Sequence, residues 1–198
     1  MGDDAELVAR LRTGDEDAFV HLVARHHTSL LRLASTFVPS RAVAEEVVQE
    51  TWLGVVRGID RFEARSSLKT WLFRILVNRA RSAGVRERRY AMAPSADERA
   101  VVPGRFAANG EWRDPPASWT DEAIDRITAA DAAAAISSCL ADLPHAQRQV
   151  VLLRDVEGLA ADEVCALLGL SDGNQRVLLH RGRSRLRSRL EHLLAEDR

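Results

Sequence analysis

Residues 161–190, ADEVCALLGLSDGNQRVLLHRGRSRLRSRL, decide the fold of this chain. The segment 163–168 has the apolar spacing of a short amphipathic helix, and Gly169 suits the left-handed residue that ends a helix. Ser171 is a good N-cap for a second helix. A short helix, a glycine turn and a second helix form a helix-turn-helix, whose second helix usually reads the DNA major groove.

The second helix of this segment is strongly basic, with no acid between residues 173 and 190. Its arginines are Arg176, Arg181, Arg183, Arg185, Arg187 and Arg189. We therefore interpret the segment as DNA-binding. A helical hairpin with a solvated basic face is the alternative interpretation.

Charge is unevenly distributed along the 198 residues. A net charge of −1 does not favour a general binder of polyanions, and a hydrophobic fraction of 46% is ordinary for one large or two small globular domains. Residues 65–89 nevertheless hold eight basic residues and one acid, whereas residues 1–20 hold six acids and two arginines. Two separate basic segments on a neutral chain indicate two contacts with one polyanion.

Several classes of protein are disfavoured by what the sequence lacks. Cys139 and Cys165 have no metal-ligand spacing, so we expect two buried free thiols and no metal site. Six histidines are scattered without a recognisable nucleophile, so we expect no catalytic residues and no cofactor. The first ten residues do not resemble a signal peptide, and no apolar run approaches ~20 residues. We predict a cytoplasmic protein without membrane insertion.

Helical periodicity predicts an all-α fold of two small domains. The predicted helices span 5–11, 15–37, 41–57, 67–89, 121–140 and 145–157, followed by the helix-turn-helix. Asp15 is the expected N-cap of the second of them, and Ser67 or Ser66 that of the fourth. Prolines and glycines between residues 91 and 119 exclude a long helix there. We place a first domain at 1–90, a linker at 91–120 and the helix-turn-helix domain at 121–198. The linker aromatics Phe106, Trp112 and Trp119 indicate docking, either on this chain or on a partner.

The predicted helix 67–89 has two chemically different sides. Its expected buried stripe is Leu68, Leu72, Ile75 and Leu76. The expected outer positions are Lys69, Trp71, Arg74, Asn78 and Arg81. Such a set can stack on a base, bond its edge and hold phosphates. Alternatively, Trp71 is simply part of the core.

These segments resemble a known family. Residues 44–62 (AEEVVQETWLGVVRGIDRF) and 65–89 (RSSLKTWLFRILVNRARSAGVRERR) resemble region two of bacterial sigma factors. Residues 140–190 resemble region four, in the expected order and separation. The kind with only these two regions is called the extracytoplasmic-function type. The resemblance implies a factor that directs core RNA polymerase to promoters, and a factor of this kind is commonly inhibited by an anti-sigma factor.

The resemblance also assigns roles to individual positions. Core RNA polymerase would be bound through its β′ clamp helices and β subunit, with Glu45, Glu46, Gln49, Glu50, Trp52 and Leu53 facing the clamp helices. The minus-ten element would be melted and held by Arg65, Ser66, Lys69, Trp71, Arg74, Asn78 and Arg81. The minus-thirty-five element would be read by Ser171, Asn174, Arg176, His180, Arg181 and Arg183.

The recognition helix departs from the family pattern at two inward positions. Gln175 stands where a valine is usual, and Gly182 stands where an alanine is usual. Both lie on one helical face, and a mid-helix glycine destabilises by about 0.5–1 kcal/mol relative to alanine. We therefore expect both residues to weaken packing. Leu178 also replaces an outward arginine.

Two other interpretations compete with a sigma factor. A stand-alone helix-turn-helix repressor or activator is disfavoured by the basic segment 65–89 and the acidic face at 45–50, because such a protein needs neither. An enzyme is disfavoured by the missing nucleophile and base. The sequence leaves the target promoters, the inducing stimulus and the anti-sigma partner undetermined. We further hypothesise that residues 103–119 help to set an inhibited state.

Overall fold

The computed structural model describes residues 2–90 and 129–196. Every regular element within these ranges is helical and neither range contains a strand, which confirms the predicted all-α class. The linker, with Phe106, Trp112 and Trp119, lies outside the described residues. So does the first part of the helix predicted at 121–140.

The helices are named α1 to α8 in chain order. They are α1 (Gly2–Arg12), α2 (Glu16–Ala34), α3 (Arg41–Gly58), α4 (Leu68–Tyr90), α5 (Ala129–Ala141), α6 (His145–Val151), α7 (Ala161–Leu168) and α8 (Asp172–Glu196). A 3-10 turn, Ile59–Arg61, follows α3. A π-helical turn, Leu152–Val156, extends α6.

Side-chain caps begin the first-domain helices as the sequence predicts. The Ala18 N–H donates to Asp15 Oδ1 at 3.0 Å, and the Thr70 N–H donates to Ser67 Oγ at 3.1 Å. Helix α2 ends at Ala34, a few residues before the predicted end. The next residues continue as a tighter turn, in which the Phe37 N–H donates to Ala34 O at 2.9 Å.

The first domain packs α2, α3 and α4 around one apolar core. Helix α2 contributes Leu22, Leu30 and Leu33, and α3 contributes Val47, Val48 and Val55. Helix α4 contributes the predicted Leu68, Leu72 and Leu76, all buried, whereas Ile75 is only half-buried. The core therefore holds α4 against α2 and α3.

Part of α4 also contacts the second domain. Phe73 and Val77 of this helix are fully buried, although the predicted stripe did not include them. Helix α7 packs on α4, and its Val164 and Leu167 belong to the same continuous apolar core. In the described residues, the two domains consequently form one packed unit.

The second domain is built around α8. Helices α5, α6 and α7 all pack against it. The predicted single helix 145–157 is instead an α-helix followed by the π-helical turn, which widens the backbone just before Glu157. Cys139 is a buried free thiol as expected. Cys165 is also a free thiol, but it is only half-buried, contrary to the expectation.

The expected turn geometry of the helix-turn-helix is confirmed. Gly169 ends α7 with φ +65°, and the Asn174 N–H donates to Ser171 Oγ at 3.3 Å. Gln175 is 1% exposed, and its Nε2 has no hydrogen-bond partner among the described residues. A buried unsatisfied amide destabilises by about 1–3 kcal/mol. The expectation of weakened packing therefore agrees with the surroundings of Gln175.

The same expectation is wrong for Gly182. A Cβ at this position would lie 2.6 Å from Val151 Cγ2 and 3.5 Å from Gln147 O, both on α6. The glycine is what lets α6 and α8 approach each other closely. The pattern of one helix does not contain this information, because the constraint comes from the facing helix.

We expect Gly182→Ala to lower the free energy of unfolding by about 1–3 kcal/mol, because overpacking at α6 outweighs the gain in helix propensity. Gly173→Ala is the matched control, since no atom lies within 4 Å of its would-be Cβ. That control should be neutral or stabilising by up to about 1 kcal/mol. Urea unfolding of the full chain measures both. Equal stability of the two variants would contradict the close-packing role.

Candidate nucleic-acid and polymerase interfaces

The predicted minus-ten residues begin in the loop between the 3-10 turn and α4. Arg65 is exposed and forms an ion pair with Glu63, and Ser66 is half-buried. Further along α4, Arg74, Asn78 and Arg81 are exposed. Arg74 and Asn78 are one turn apart, so their side chains share one face of the helix. These residues form an accessible polar surface that continues from the loop.

Trp71 occupies the inner side of this surface. Its ring centroid lies 5.2 Å from that of Phe62, and a Cβ at Gly58 would meet Trp71 Cζ2 at 3.4 Å. The ring is half-buried against the 3-10 turn and the start of the loop. Trp71 therefore packs against the residue that begins the loop, which agrees with the alternative that Trp71 is part of the core.

Lys69 is held by the second domain, although the sequence analysis placed it outward. Its Nζ donates to Glu157 O at 2.6 Å and lies 3.0 Å from Glu157 Oε2. Arg32 NH2 lies 3.4 Å from Glu157 Oε1, so one carboxylate joins two cations of the first domain. The side chain of Glu157 is only 7% exposed. Lys69 therefore differs from Arg74 and Asn78 in being engaged within the protein.

A second contact covers the neighbouring residue of α4. Thr70 Oγ1 donates to Glu163 Oε1 at 2.6 Å, and the Ala160 N–H donates to Glu163 Oε2 at 2.9 Å. Glu163 thus satisfies the first turn of α7 and binds α4 at the same time. Sequence analysis missed Glu157, Glu163 and Thr70. The only signal for Glu157 and Glu163 was their position near the two ends of the loop before α7, and Thr70 on α4 gave none.

His26 is buried beside this ion cluster. Burial lowers the pKa of His26, and the nearby cations Arg25 and Lys69 lower it further. The carboxylates of Glu157 and Asp4 act in the opposite direction but do not outweigh them. The fold therefore favours the neutral form of His26, which is influenced by charges of both domains.

This shift predicts the direction of a pH effect. The folded-state pKa of His26 lies below the ordinary value of 6.5, so the unfolded chain takes up a proton more readily than the folded chain. The free energy of unfolding is therefore higher above pH 6.5 and decreases as the pH falls through and below that value. We expect His26→Gln to flatten the fall in melting temperature between about pH 7 and 5. His21→Gln, at an exposed position on the same helix, is the control. Identical pH profiles for wild type and His26→Gln would contradict the assignment.

The predicted polymerase-binding residues lie on α3, but their environments differ. Gln49 is exposed, and Leu53 is 54% exposed. Trp52 is only 8% exposed, because its ring packs edge-on against Phe19 at 5.9 Å between centroids. Its Nε1 donates to His27 Nδ1 at 3.5 Å. Most of the Trp52 surface is therefore used inside the domain.

The three acids of α3 are all paired with arginines. Glu45 lies 2.8 Å from Arg41, Glu46 lies 3.7 Å from Arg86, and Glu50 lies 3.1 Å from Arg79. The last two pairs cross a groove of about 640 Å³ between α3 and α4. Gly54 permits the close approach of Arg79, because a Cβ there would lie 2.9 Å from Arg79 NH2. The acidic face is thus partly neutralised by α4.

An apolar patch next to this face was missed by the sequence analysis. Val56 is exposed one turn after Leu53, and Val20 of α2 is exposed nearby on a groove that also includes Val56. The groove has a volume of about 380 Å³. Val20 and Val56 lie on different helices, so the periodicity of a single helix does not show that they share a groove.

The predicted minus-thirty-five residues fall into two groups on α8. Ser171, Asn174, Arg176 and Arg181 are exposed, and His180 is half-buried. Arg176 forms an ion pair with Asp172 of its own helix. Arg183 instead donates to both carboxylate oxygens of Asp155, at 2.9 and 2.6 Å, and this bonding raises its pKa. Arg183 therefore ties α8 to the π-helical turn.

Within residues 2–90 and 129–196, no three His, Cys, Asp or Glu side chains are grouped as a metal site would need. Among the helices of these ranges, none combines the length and apolarity of a membrane span.

Comparisons with known families identify two regions in the chain. A family model for sigma-70 region 2 matches residues 22–90, and one for sigma-70 region 4 matches residues 133–186. The chain is 30% identical over 194 residues to the ECF RNA polymerase sigma-E factor of Escherichia coli (strain K12), covering 96% of each chain. It is 32% identical over 187 residues to the RNA polymerase sigma factor CarQ of Myxococcus xanthus, covering 94% of this chain and 97% of CarQ.

Solved structures share the fold. CnrH, in complex with the cytosolic domain of CnrY, matches with a TM-score of 0.56 and 25% identity, covering 96% of this chain and 97% of CnrH. The sigma factor RpoE of Bartonella quintana, in complex with the anti-sigma factor NepR, matches with a TM-score of 0.58 and 22% identity, covering 87% of this chain and 96% of RpoE. By its sequence relatives and its two regions, the chain belongs to the sigma-70 family and is a transcription initiation factor of the extracytoplasmic-function type.

Proposed function

We propose that this sigma factor binds core RNA polymerase through α3 and promoter DNA through α4 and α8. The observation that carries the proposal is the exposure of Arg74 and Asn78 on one face of α4, the helix that follows the loop with Arg65 and Ser66. Cations hold phosphates, and an amide can bond the edge of an unstacked base. This surface suits the minus-ten element, with Arg81 at its far end.

The minus-thirty-five element would meet the first half of α8. Ser171, Asn174, Arg176 and Arg181 are accessible there, and helix N-terminal residues of this motif reach base edges in the major groove. His180 lies at the margin, and Arg183 supports the helix through Asp155. Two DNA contacts on separate domains account for two basic segments on a chain of net charge −1.

The closed packing of the two domains supports regulation by a protein partner. Lys69 is engaged by Glu157 and Thr70 is engaged by Glu163 of α7, so full use of the minus-ten surface requires the second domain to move away. The structural relatives CnrH and RpoE were solved with CnrY and with the anti-sigma factor NepR, respectively. We infer that an anti-sigma factor controls this chain as well, by favouring a closed arrangement of the domains.

The remaining assignments follow from the role of the polymerase. The chain acts in the cytoplasm, where core polymerase and promoters meet, and it needs no catalytic residue because the polymerase forms the phosphodiester bonds. We assign the region-two domain to 1–90, the linker to 91–120 and the region-four domain to 121–198. This division leaves the polymerase-binding and minus-ten surfaces on the same domain.

The polymerase contact is tested at Leu53. We expect Leu53→Asp to weaken binding to core polymerase by about tenfold or more, because a charge replaces an exposed apolar contact at the centre of the α3 face. Val85→Asp, an equally exposed valine on α4, is the control and should change the affinity by less than about twofold. Fluorescence anisotropy with labelled sigma factor measures both. Unchanged affinity of Leu53→Asp would place the polymerase contact elsewhere.

A further inference from the structure

Helix α1 contacts both ends of the loop that precedes α4. At the first end, Arg12 NH2 donates to Phe62 O at 2.6 Å and Arg12 Nε donates to Ile59 O at 3.4 Å. At the other end, the Leu68 N–H donates to Asp4 Oδ2 at 3.2 Å. These contacts join residues far apart in the sequence, so they do not arise from local turn formation.

The spacing within α1 makes this double contact possible. Asp4, Val8 and Arg12 follow each other at intervals of four and therefore form one stripe of the helix. Eight residues of helix extend about 12 Å, which suits the two ends of a short loop. Val8 between them is buried in the core, which fixes α1 in place. The packing of Val8 in the core therefore holds Asp4 and Arg12 in place.

The loop itself needs such support. Ala64 has φ +53°, a left-handed conformation that a residue with a Cβ rarely adopts. Residues 62–67 and α1 together line a cleft of about 570 Å³, which opens beside Arg65 and Ser66. The shape of the cleft therefore depends on where α1 holds the two ends of the loop.

We propose that Asp4 and Arg12 are positioning residues for single-stranded minus-ten DNA, acting by holding loop 62–67 in its binding shape. This inference rests on the proposed function, which places the minus-ten element at this loop. Neither residue needs to touch DNA. Arg12 holds the first end of the loop through the carbonyl oxygens of Ile59 and Phe62. Asp4 holds the other end through the Leu68 N–H, where α4 begins.

Asp4 gives a test whose sign separates positioning from simple electrostatics. Removing an acid beside a DNA-binding loop should tighten binding if charge alone matters. If positioning matters, Asp4→Ala should weaken binding by about tenfold, because displacement of a binding group is costly. Asp4→Asn removes the charge but keeps an oxygen that can accept from the Leu68 N–H, so it should bind at least as well as wild type.

The assay uses holoenzyme assembled with core polymerase. The probe is a fluorescent non-template-strand oligonucleotide carrying the minus-ten element of a promoter mapped with the wild-type protein. Glu6→Ala, an exposed acid on the same helix, is the matched control for charge. Arg12→Ala should weaken oligonucleotide binding by about tenfold, and Arg12→Lys, which keeps one donor, should recover most of it. Affinity for core polymerase and for a minus-thirty-five duplex should stay within about twofold.

The outcomes are distinguishable. Tighter binding by both Asp4→Ala and Asp4→Asn would overturn positioning in favour of charge alone. An equal loss of oligonucleotide, duplex and core binding in Asp4→Ala and Arg12→Ala would also overturn it, because it would indicate a general folding defect. Failure of wild-type holoenzyme to select any minus-ten sequence would contradict the proposed function, and the inference would fall with it.

Discussion

Holoenzyme carrying Arg74→Ala and Asn78→Ala is expected to lose about a hundredfold in promoter-dependent transcription, since each good base or backbone contact contributes about 1–3 kcal/mol. Both side chains are exposed on one face of α4. Their removal therefore leaves no cavity and should not unfold the domain. Single-round transcription on a mapped promoter measures the loss.

A control variant separates this effect from a general loss of positive charge. Arg57→Ala removes an exposed arginine from α3, outside the residues assigned to the minus-ten element, and should keep nearly full activity. Thermal unfolding of all three proteins should be alike. Activity of the double variant close to that of Arg57→Ala would contradict the assignment of the minus-ten surface to Arg74 and Asn78.

The second large effect is expected at the contact between the domains. Glu157→Lys would place a third cation against Lys69 and Arg32, which now share the Glu157 carboxylate. Breaking a buried ion pair destabilises by about 3–5 kcal/mol, and the partial exposure of Lys69 reduces this to about 2–3 kcal/mol. We expect α7 to separate from α4. Small-angle X-ray scattering should show a larger radius of gyration for the free protein.

The same variant should free the buried part of α4. Hydrogen exchange should quicken along α4, against which α7 packs in the closed form. Asp162→Lys makes the same charge change at an exposed position of α7 and should leave the scattering unchanged. Combining Glu157→Lys with Lys69→Glu should restore part of the closed form. A compact Glu157→Lys protein would contradict the role of this ion cluster.

Local patterns in the sequence were sufficient for the helices and for the helix-turn-helix. Asp15, Ser67 and Ser171 cap helices as predicted, and Gly169 adopts the left-handed conformation expected of it. These features depend on neighbouring residues in the chain, so a single sequence is enough to predict them. The stripe of Leu68, Leu72 and Leu76 on α4 was predictable for the same reason.

Contacts between distant segments could not be predicted in this way. Phe73 and Val77 are buried on the helix against which α7 packs, and the Lys69 ammonium is paired with the Glu157 carboxylate of the second domain. Gly182 was expected to weaken packing, yet its missing side chain makes room for Val151. In each case the partner comes from another part of the chain, so helical periodicity alone does not reveal it.

Run-off transcription tests the central claim most directly. Core RNA polymerase is incubated with a pool of genomic promoter fragments, with and without this protein. We predict discrete new start sites that appear only with the protein, share minus-ten and minus-thirty-five elements, and fade in the variant carrying Arg74→Ala and Asn78→Ala. No stimulation of transcription, together with tight duplex binding by the protein alone, would contradict the account and indicate a stand-alone DNA-binding regulator.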